Sequence, residues 1–416
     1  MTSTEPDLFS AQAHKTWYRT YQELQSSAPV YKAPGLNMFV LTLYDDIAAV
    51  VRDSETFSNE REKHGGEPLL LHAEARKVYE ERGWPKLFPL AVDPPEHRKF
   101  RDLVDHFFLG EALQRARPLI ETIVGDLIDR FQGDGEVDFI GAFAEPLPMT
   151  VITALIGLPL KDMPQLKAWS TAWAAPFARG LSLEREMWVA EEGVAFQAYL
   201  KAHIDARRRA PREDIISHLV QARLGGERPL TDAEIISIVD HLYIGGNETT
   251  TFALTSGMWL MLREPAIYDR LRADRRGIRI FVEEAMRLES PTQGLYRTVT
   301  RDTEIRGVTL PKGSTVHLRF AAANRDASVF KDPDRLDLDR ANAIRHMAFS
   351  QAEHHCPGAG LSRLEQNIAF TALIDRLPRL RLTPSKNDFE HIPGFVLRAL
   401  GSLRLSFDPV ERTPTE

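Results

Sequence analysis

The only cysteine of this 416-residue chain, Cys356, lies in the segment Phe349-Ser350-Gln351-Ala352-Glu353-His354-His355-Cys356-Pro357-Gly358, called the cysteine loop below. A helical pattern, residues 361–368, follows Pro357-Gly358. A thiol at the start of a helix lies near unpaired N–H groups and the positive end of the helix dipole, which favours the thiolate. A single thiolate is suited to be the axial ligand of a haem iron. On position alone, a small buried apolar side chain is the commoner role for a lone cysteine.

A second candidate for chemistry lies in the middle of a long helical pattern, Thr231 to Glu264. Thr231 and Glu234 form a capping box, and Pro265 ends the pattern, so we predict a helix of ~50 Å. Apolar residues surround it on nearly every side, as expected of a buried helix. Its midpoint nevertheless reads Gly245-Gly246-Asn247-Glu248-Thr249-Thr250-Thr251. Polar residues and glycines in a dry core are typical of a functional site, here one that holds water and relays protons. A surface helix with a glycine kink is the alternative.

Two pairs of polar residues at helical spacing complete the candidates. Asp93-Pro94-Pro95-Glu96 predicts a helix start with an Asp cap, after which His97 and Arg101 share one face. Glu284 and Arg287 are three residues apart in another helical pattern. Taken alone, the first pair is equally well explained as solvated side chains, and the second as an exposed ion pair.

The elements that position these residues are mainly helical, with smaller β-rich parts around 30–60, 300–320 and 380–407. We predict that Thr303–Leu310 pairs with Thr315–Phe320 across a Pro311-Lys312-Gly313 turn. Residues 61–92 show no sustained period and predict a lid that packs over a binding site. No linker or repeat divides the chain, so we expect one domain over residues 1–416.

Composition excludes several classes of protein. A hydrophobic content of 43% and a charged content of 27% are those of a globular protein. The net charge of −7 argues against nucleic acid as a partner. One cysteine leaves no intrachain disulfide, which fits the reducing cytoplasm, and no apolar run predicts a signal peptide or membrane anchor.

Together these residues resemble the bacterial cytochrome P-450 monooxygenases, over roughly residues 20–408. Phe349, Ser350, His354, Cys356 and Gly358 fit the family's cysteine-loop pattern, whereas Ala352 stands where glycine is usual. The midpoint of the long helix is similar to the family's Gly-Gly-x-acid-Thr motif, and Glu284-x-x-Arg287 is similar to its Glu-x-x-Arg motif.

The resemblance implies a cytochrome P-450 fold with haem b buried between the long central helix and the cysteine-loop helix. Cys356 would be the thiolate ligand, and Glu248 and Thr249 the catalytic pair. Glu284 and Arg287 would form a structural network, completed by Arg335 or alternatively by Arg340. The other residues expected at the haem are His97, Arg101, Arg297, His354, Phe349 and Gly245.

The implied activity is insertion of one atom of O₂ into an apolar organic substrate, by hydroxylation or dealkylation. Electrons are expected from a separate ferredoxin and ferredoxin reductase, which would dock near Arg98, Lys99 and Arg363. The expected pocket walls are Phe88, Phe177, Thr292, Gln293, Leu295, Phe395 and Val396. A haem-thiolate peroxygenase using H₂O₂ is one alternative. A non-catalytic helical protein with zinc at His354-His355-Cys356 is another, although consecutive ligands fit tetrahedral zinc poorly.

Overall fold

The computed structural model describes residues 8–15, 17–66, 68, 70–178 and 181–410, and most of them are helical. The α-helices are α1 Ala11–Lys15, α2 Trp17–Ser27, α3 Tyr44–Val50, α4 Ala73–Arg82, α5 Glu96–Arg101, α6 Gly110–Phe131, α7 Pro146–Ile156, α8 Met163–Ala174, α9 Leu183–Arg209, α10 Ile215–Gln221, α11 Asp232–Arg263, α12 Pro265–Ala273, α13 Ile278–Leu288, α14 Phe320–Ala323 and α15 Ala359–Arg376.

The strands are short. They are β1 Val30–Lys32, β2 Met38–Leu41, β3 Phe57–Ser58, β4 Glu136–Asp138, β5 Arg223–Leu224, β6 Arg228–Pro229, β7 Leu295–Val299, β8 Thr303–Ile305, β9 Val308–Leu310, β10 Thr315–Leu318, β11 Arg381–Leu382 and β12 Arg404–Ser406. The largest sheet has the order β1-β2-β10-β7-β3, in which only the β2–β10 pair is parallel. A second sheet has the order β11-β12-β4.

The predicted long helix is confirmed as α11. The Thr231 side chain accepts a hydrogen bond from the Glu234 N–H, and the Glu234 carboxylate accepts one from the Thr231 N–H, so the capping box is complete. The helix is continuous through the glycine pair at its midpoint. Its neighbours α7, α9, α13 and α15 bury most of its surface, which explains why its sequence is apolar on nearly all sides.

Two local predictions are wrong. The Thr303–Leu310 segment folds on itself, because Arg306 and Gly307 adopt the positive φ angles of 51° and 79° that a tight hairpin turn requires. Strand β10 instead joins β2 and β7 in the large sheet. Asp93 does not cap α5, since its carboxylate accepts hydrogen bonds from the Ser58 hydroxyl and the Asn59 N–H.

Among the described residues, no helix combines the length and the apolar character needed to cross a membrane.

Candidate active site

A cavity of about 300 Å³ lies between the middle of α11 and the cysteine loop. The residues that line it on these two sides are His241, Leu242, Gly245, Gly246, Thr249 and Thr250 of α11, and Phe349, Ser350, His354, Cys356, Pro357 and Gly358 of the cysteine loop. Arg101 of α5 and Arg297 of β7 line it as well. Elements far apart in the chain therefore bring most of the predicted site residues to one cavity.

Cys356 lies just before the first turn of α15, and its N–H donates to the Phe349 carbonyl at 2.9 Å. Burial raises the pKa of its thiol, whereas hydrogen bonding from the Gly358 and Ala359 N–H groups acts in the opposite direction. Burial therefore outweighs these hydrogen bonds, and the pKa is raised despite the position at a helix start. A thiolate at this position needs a cationic partner on the cavity side.

The cysteine loop has a strained backbone. Ser350 and Ala352 both have left-handed conformations, with φ angles of 57° and 58°. Glycine adopts this region without steric cost, so alanine at position 352 preserves the loop shape at the expense of local strain. Arg101 fixes the outer side of the loop by donating to the carbonyls of His355 at 3.0 Å and Glu353 at 3.2 Å.

Three basic side chains near the cavity have unmet interactions. Arg297 is 3% exposed and donates to the Tyr296 carbonyl, but no carboxylate of the described residues pairs with it, and burial lowers its pKa to about 10. The rings of His97 and His354 are in contact in a tilted arrangement, with centroids 4.0 Å apart, and the buried Nε2 of each has no hydrogen-bond partner among the described residues. Burial lowers the pKa of His97 to about 4 and that of His354 to about 3. Unlike these three, Arg101 already has a partner, Asp105, at 2.6 Å.

At the midpoint of α11, the two residues of the predicted catalytic pair, Glu248 and Thr249, face different surroundings. Thr249 lines the cavity, and its hydroxyl donates to the Gly245 carbonyl at 2.8 Å. Glu248 is 8% exposed and faces α8, where the Ser170 hydroxyl lies 3.1 Å and the Lys167 ammonium 3.4 Å from its Oε1. Only the alcohol of the pair is therefore in contact with the cavity.

The predicted ion-pair network is buried, and its third side chain is Arg340. Glu284 and Arg287 are fully buried and form a bidentate pair, with Nε and Nη2 of the arginine 2.6 and 2.9 Å from the carboxylate. Arg340 Nε lies 3.0 Å from Glu284. The prediction that the Arg335 side chain completes the network is wrong. Arg335 contributes its backbone carbonyl, which accepts hydrogen bonds from Arg287 and Arg340.

A second cluster of charged and polar side chains, Glu283, His346 and Arg363, lies next to the cysteine loop. Glu283 accepts hydrogen bonds from Arg363 at 2.7 and 3.0 Å and from His346 at 3.0 Å. Because His346 Nδ1 accepts from the Ala348 N–H, its Nε2 carries the proton that it donates to Glu283. Burial alone would raise the pKa of Glu283, but these hydrogen bonds outweigh it and lower the pKa to about 2.

Of the predicted docking residues, Arg363 is not a free surface charge. Besides its pairing with Glu283, its guanidinium lies over the Phe349 ring, 4.6 Å from the centroid. Arg98 and Lys99 are more exposed; Lys99 pairs with Glu96 of α5, and Arg98 pairs with Asp102, directly after α5.

The predicted substrate walls are only partly correct. Thr292 and Leu295 line the cavity, but Phe88, Gln293, Phe395 and Val396 do not. Gln293 is fully buried and bonded to the Tyr21 hydroxyl, and Phe395 packs on Trp17. Residues 90 and 91 of the predicted lid form the wall that Phe88 was expected to form. The side chain of Phe177 lies outside the described residues.

The structure also adds polar residues that the sequence patterns did not single out, His241, Ser362 and Glu365, and it places Thr250 of the α11 midpoint in the cavity wall. Thr250 and Ser362 hydroxyls are 3.2 Å apart and join α11 to α15. Glu365 is 1% exposed, one of its carboxylate oxygens has no partner, and burial raises its pKa. The spacing of His241 from Gly245 and Thr249, four and eight residues along one helix face, is the signal that could have revealed it.

These features fit a planar dianionic group with a central metal. Gly245 lines the cavity, and apart from the backbone of its own helix the nearest described atom to a Cβ there would be His241 Cδ2, at 4.0 Å. The sulfur of Cys356 is a soft ligand on the opposite wall. Among the described residues, Arg297 forms no ion pair and the Nε2 atoms of His97 and His354 have no hydrogen-bond partner, as expected of side chains that receive the two carboxylates of a haem.

Comparison with known proteins agrees with this arrangement. Residues 194–401 match the family model described as Cytochrome P450. The chain is 35% identical to the "Putative cytochrome P450 YjiB" of Bacillus subtilis, and the match covers 88% of this chain and 89% of that protein. It is 31% identical to the "6-deoxyerythronolide B hydroxylase" of Saccharopolyspora erythraea, and that match covers 98% of this chain and 100% of that protein. The solved structure of P450BioI, in complex with an acyl carrier protein ligated to hexadec-9Z-enoic acid, superposes with a TM-score of 0.86 at 31% identity, covering 96% of this chain and 99% of that one.

The mainly helical fold and the cysteine-centred cavity define a haem-thiolate oxidoreductase. The chain belongs to the cytochrome P450 family, and its cofactor is haem b held by a cysteine thiolate. As in its relatives, its reaction class is that of a P450 monooxygenase.

Proposed function

We propose that Cys356 is the thiolate ligand and that the cavity between α11 and the cysteine loop holds the haem. The observation that carries this proposal is that the only cysteine of the chain lines this cavity, opposite Gly245. Arg297, His97 and His354 would bind the propionates, with Arg101 as a fourth donor. Arg101 also holds the loop that carries the ligand, because it bonds two of the loop's carbonyls.

The thiolate-ligated haem, when bound, activates O₂ for cleavage of the O–O bond. Thr249 is the cavity-lining alcohol that passes protons: its hydroxyl donates to the Gly245 carbonyl and keeps its lone pairs available to accept a hydrogen bond from a proton donor in the cavity. Glu248 is the proton source. To deliver a proton, its side chain must leave its partners Ser170 and Lys167 and turn toward the cavity. In the structure its side chain therefore lies on the α8 side of the helix.

The substrate is an apolar organic molecule. Leu90, Ala91, Ile152, Leu295 and Phe320 line the cavity and offer it apolar contacts. The relative with a hexadecenoic acyl chain in its complex supports a substrate of this character. A separate ferredoxin, with its reductase, supplies the electrons and docks on the surface of α5 that carries Arg98 and Lys99, where basic side chains steer an acidic partner.

The proposal is tested by oxygen labelling. Haem-loaded protein is incubated with a panel of apolar compounds, a ferredoxin, its reductase, NADPH and isotopically labelled O₂. We expect a product with one labelled oxygen atom, together with a substrate-induced change in the haem spectrum. A product formed only when unlabelled H₂O₂ replaces the electron donors would contradict the monooxygenase proposal and support the peroxygenase alternative.

No cluster of three metal-ligating side chains occurs among the described residues. The zinc alternative at His354-His355-Cys356 is thus without a ligand set, and it is not proposed.

A further inference from the structure

His241 is a polar side chain in an otherwise largely apolar part of the cavity wall. It shares one face of α11 with Gly245 and Thr249, at four-residue intervals, and all three line the cavity. Leu242 and Ile152 are its apolar neighbours in that wall. Eight residues separate His241 from Thr249, which corresponds to roughly 12 Å along the helix axis.

The imidazole of His241 has unused hydrogen-bonding capacity. Its Nδ1 is buried and has no hydrogen-bond partner among the described residues. Burial lowers its pKa to about 4, helped by the charges of Arg101 and Lys86, so the ring is neutral near pH 7. A neutral imidazole offers one donor and one acceptor. A buried polar atom without a partner is destabilising, which favours a role for the residue in binding.

The surroundings of His241 contain opposite charges that offset each other. Asp240, the preceding residue, accepts a hydrogen bond from the Trp173 indole at 3.0 Å. The Lys86 ammonium lies over the Trp173 ring, 5.1 Å from its centroid. Arg101, a cation of the cavity wall whose charge acts on His241, already pairs with Asp105 at 2.6 Å. A charged substrate group beside His241 would therefore lack a free counter-charge, whereas an uncharged oxygen group would not need one.

We propose that His241 is a specificity-determining residue that hydrogen-bonds an uncharged oxygen group, a hydroxyl or a carbonyl, on the substrate. This inference rests on the proposed function and deepens it. The substrate is an apolar molecule with an oxygen substituent about two helical turns from the Thr249 end of the cavity. The hydrogen bond to His241 orients the molecule and so selects the carbon that is oxidised.

The test uses three ligands of equal chain length: decan-1-ol, decane and decanoate. Their dissociation constants are measured by calorimetry with haem-loaded wild-type protein and with His241→Leu and His241→Gln. One hydrogen bond contributes about 0.5–1.5 kcal/mol, so we expect the wild type to bind the alcohol about 2- to 12-fold more tightly than the alkane. This preference should disappear in His241→Leu and be restored in His241→Gln, whose amide also donates and accepts. The control His218→Leu, on α10 outside the cavity wall, should keep it.

Equal affinities for alcohol and alkane in the wild type, an unchanged preference in His241→Leu, tighter binding of decanoate, or no detectable binding of the alcohol would each overturn the inference. Failure of the proposed function would appear separately, in the haem spectrum and the oxygen-labelling experiment. Those two readouts do not depend on how the three ligands are ranked.

Discussion

The Glu248 carboxylate lies 3.4 Å from the Lys167 ammonium, so that the acid of the α11 midpoint is held by α8 on the side away from the cavity. Lys167 also pairs with Glu145 at 3.0 Å. Proton delivery by Glu248 consequently requires its side chain to leave these partners. Proton delivery from the midpoint of α11 is thus coupled to the packing of α8 on α11.

Glu248→Gln keeps the shape of the side chain but removes its ionisable proton. We expect turnover to fall by on the order of 10²-fold, with haem content and ligand affinity unchanged. In Lys167→Met, Glu248 is retained, and we expect turnover to stay well above that of Glu248→Gln. Steady-state product formation measures both. Equal rates in wild type and Glu248→Gln would exclude Glu248 as the proton source.

Thr249→Ala removes the hydroxyl that lines the cavity. We expect haem content and ligand binding to be retained while NADPH consumption continues, with most reducing equivalents recovered as H₂O₂ and not as product. The ratio of product to NADPH consumed measures this coupling. Thr251→Ala is the matched control, because its hydroxyl is buried, bonds the Asn247 carbonyl and does not line the cavity. Wild-type coupling in Thr249→Ala would show that the hydroxyl is not needed.

Glu284→Ala leaves Arg287 and Arg340 buried without their carboxylate. Removing one partner of a buried ion pair costs about 3–5 kcal/mol, so we expect a large fall in thermal stability and little haem-loaded protein. Asp339→Ala breaks the exposed pair with Arg270 and should change the free energy of unfolding by less than about 1 kcal/mol. Similar melting temperatures for the two variants would contradict a structural role for the buried network.

Ala352→Gly relieves the left-handed strain of the cysteine loop. The strain is about 1–2 kcal/mol, and the added chain entropy of glycine offsets about 0.5–1 kcal/mol, so we expect a net gain of roughly 0.5–1 kcal/mol. Ala372→Gly, within α15, should instead lose about 1 kcal/mol. Thermal unfolding of the two variants checks the opposite signs. A loss of stability in Ala352→Gly would mean that the methyl group contributes packing that outweighs the strain.

Glu283 predicts a pH dependence of stability. Its pKa in the folded protein is about 2, below its ordinary value of 4.5, so its contribution is fully present above pH 4.5 and is lost as the pH falls toward 2. The shift corresponds to on the order of 3 kcal/mol. Glu283→Gln should therefore lose stability at pH 7 and show a flatter dependence between pH 5 and pH 3. The control is Glu23→Gln, on an exposed part of α2. Parallel pH profiles for wild type and Glu283→Gln would contradict this account.

Local patterns predicted the fold where the interaction itself is local. The capping box at Thr231 involves residues three apart, and α11 begins where it indicates. The preference for Arg335 over Arg340 failed because both arginines lie in an irregular segment, and only the folded chain decides which guanidinium reaches Glu284. Gln293 and Phe395 were misplaced for a similar reason. They turn away from the cavity to pack against the N-terminal helix α2, a long-range contact that no periodicity reveals.

The central claim is that Cys356 provides the thiolate ligand of the haem. The most direct measurement is the absorption spectrum of the reduced CO complex of wild-type protein and of Cys356→Ser and Cys356→His. We predict a strongly red-shifted Soret band in the wild type, which is lost in both variants. An unshifted band in wild-type protein whose fold is intact, or a red-shifted band that survives in Cys356→Ser, would contradict the assignment.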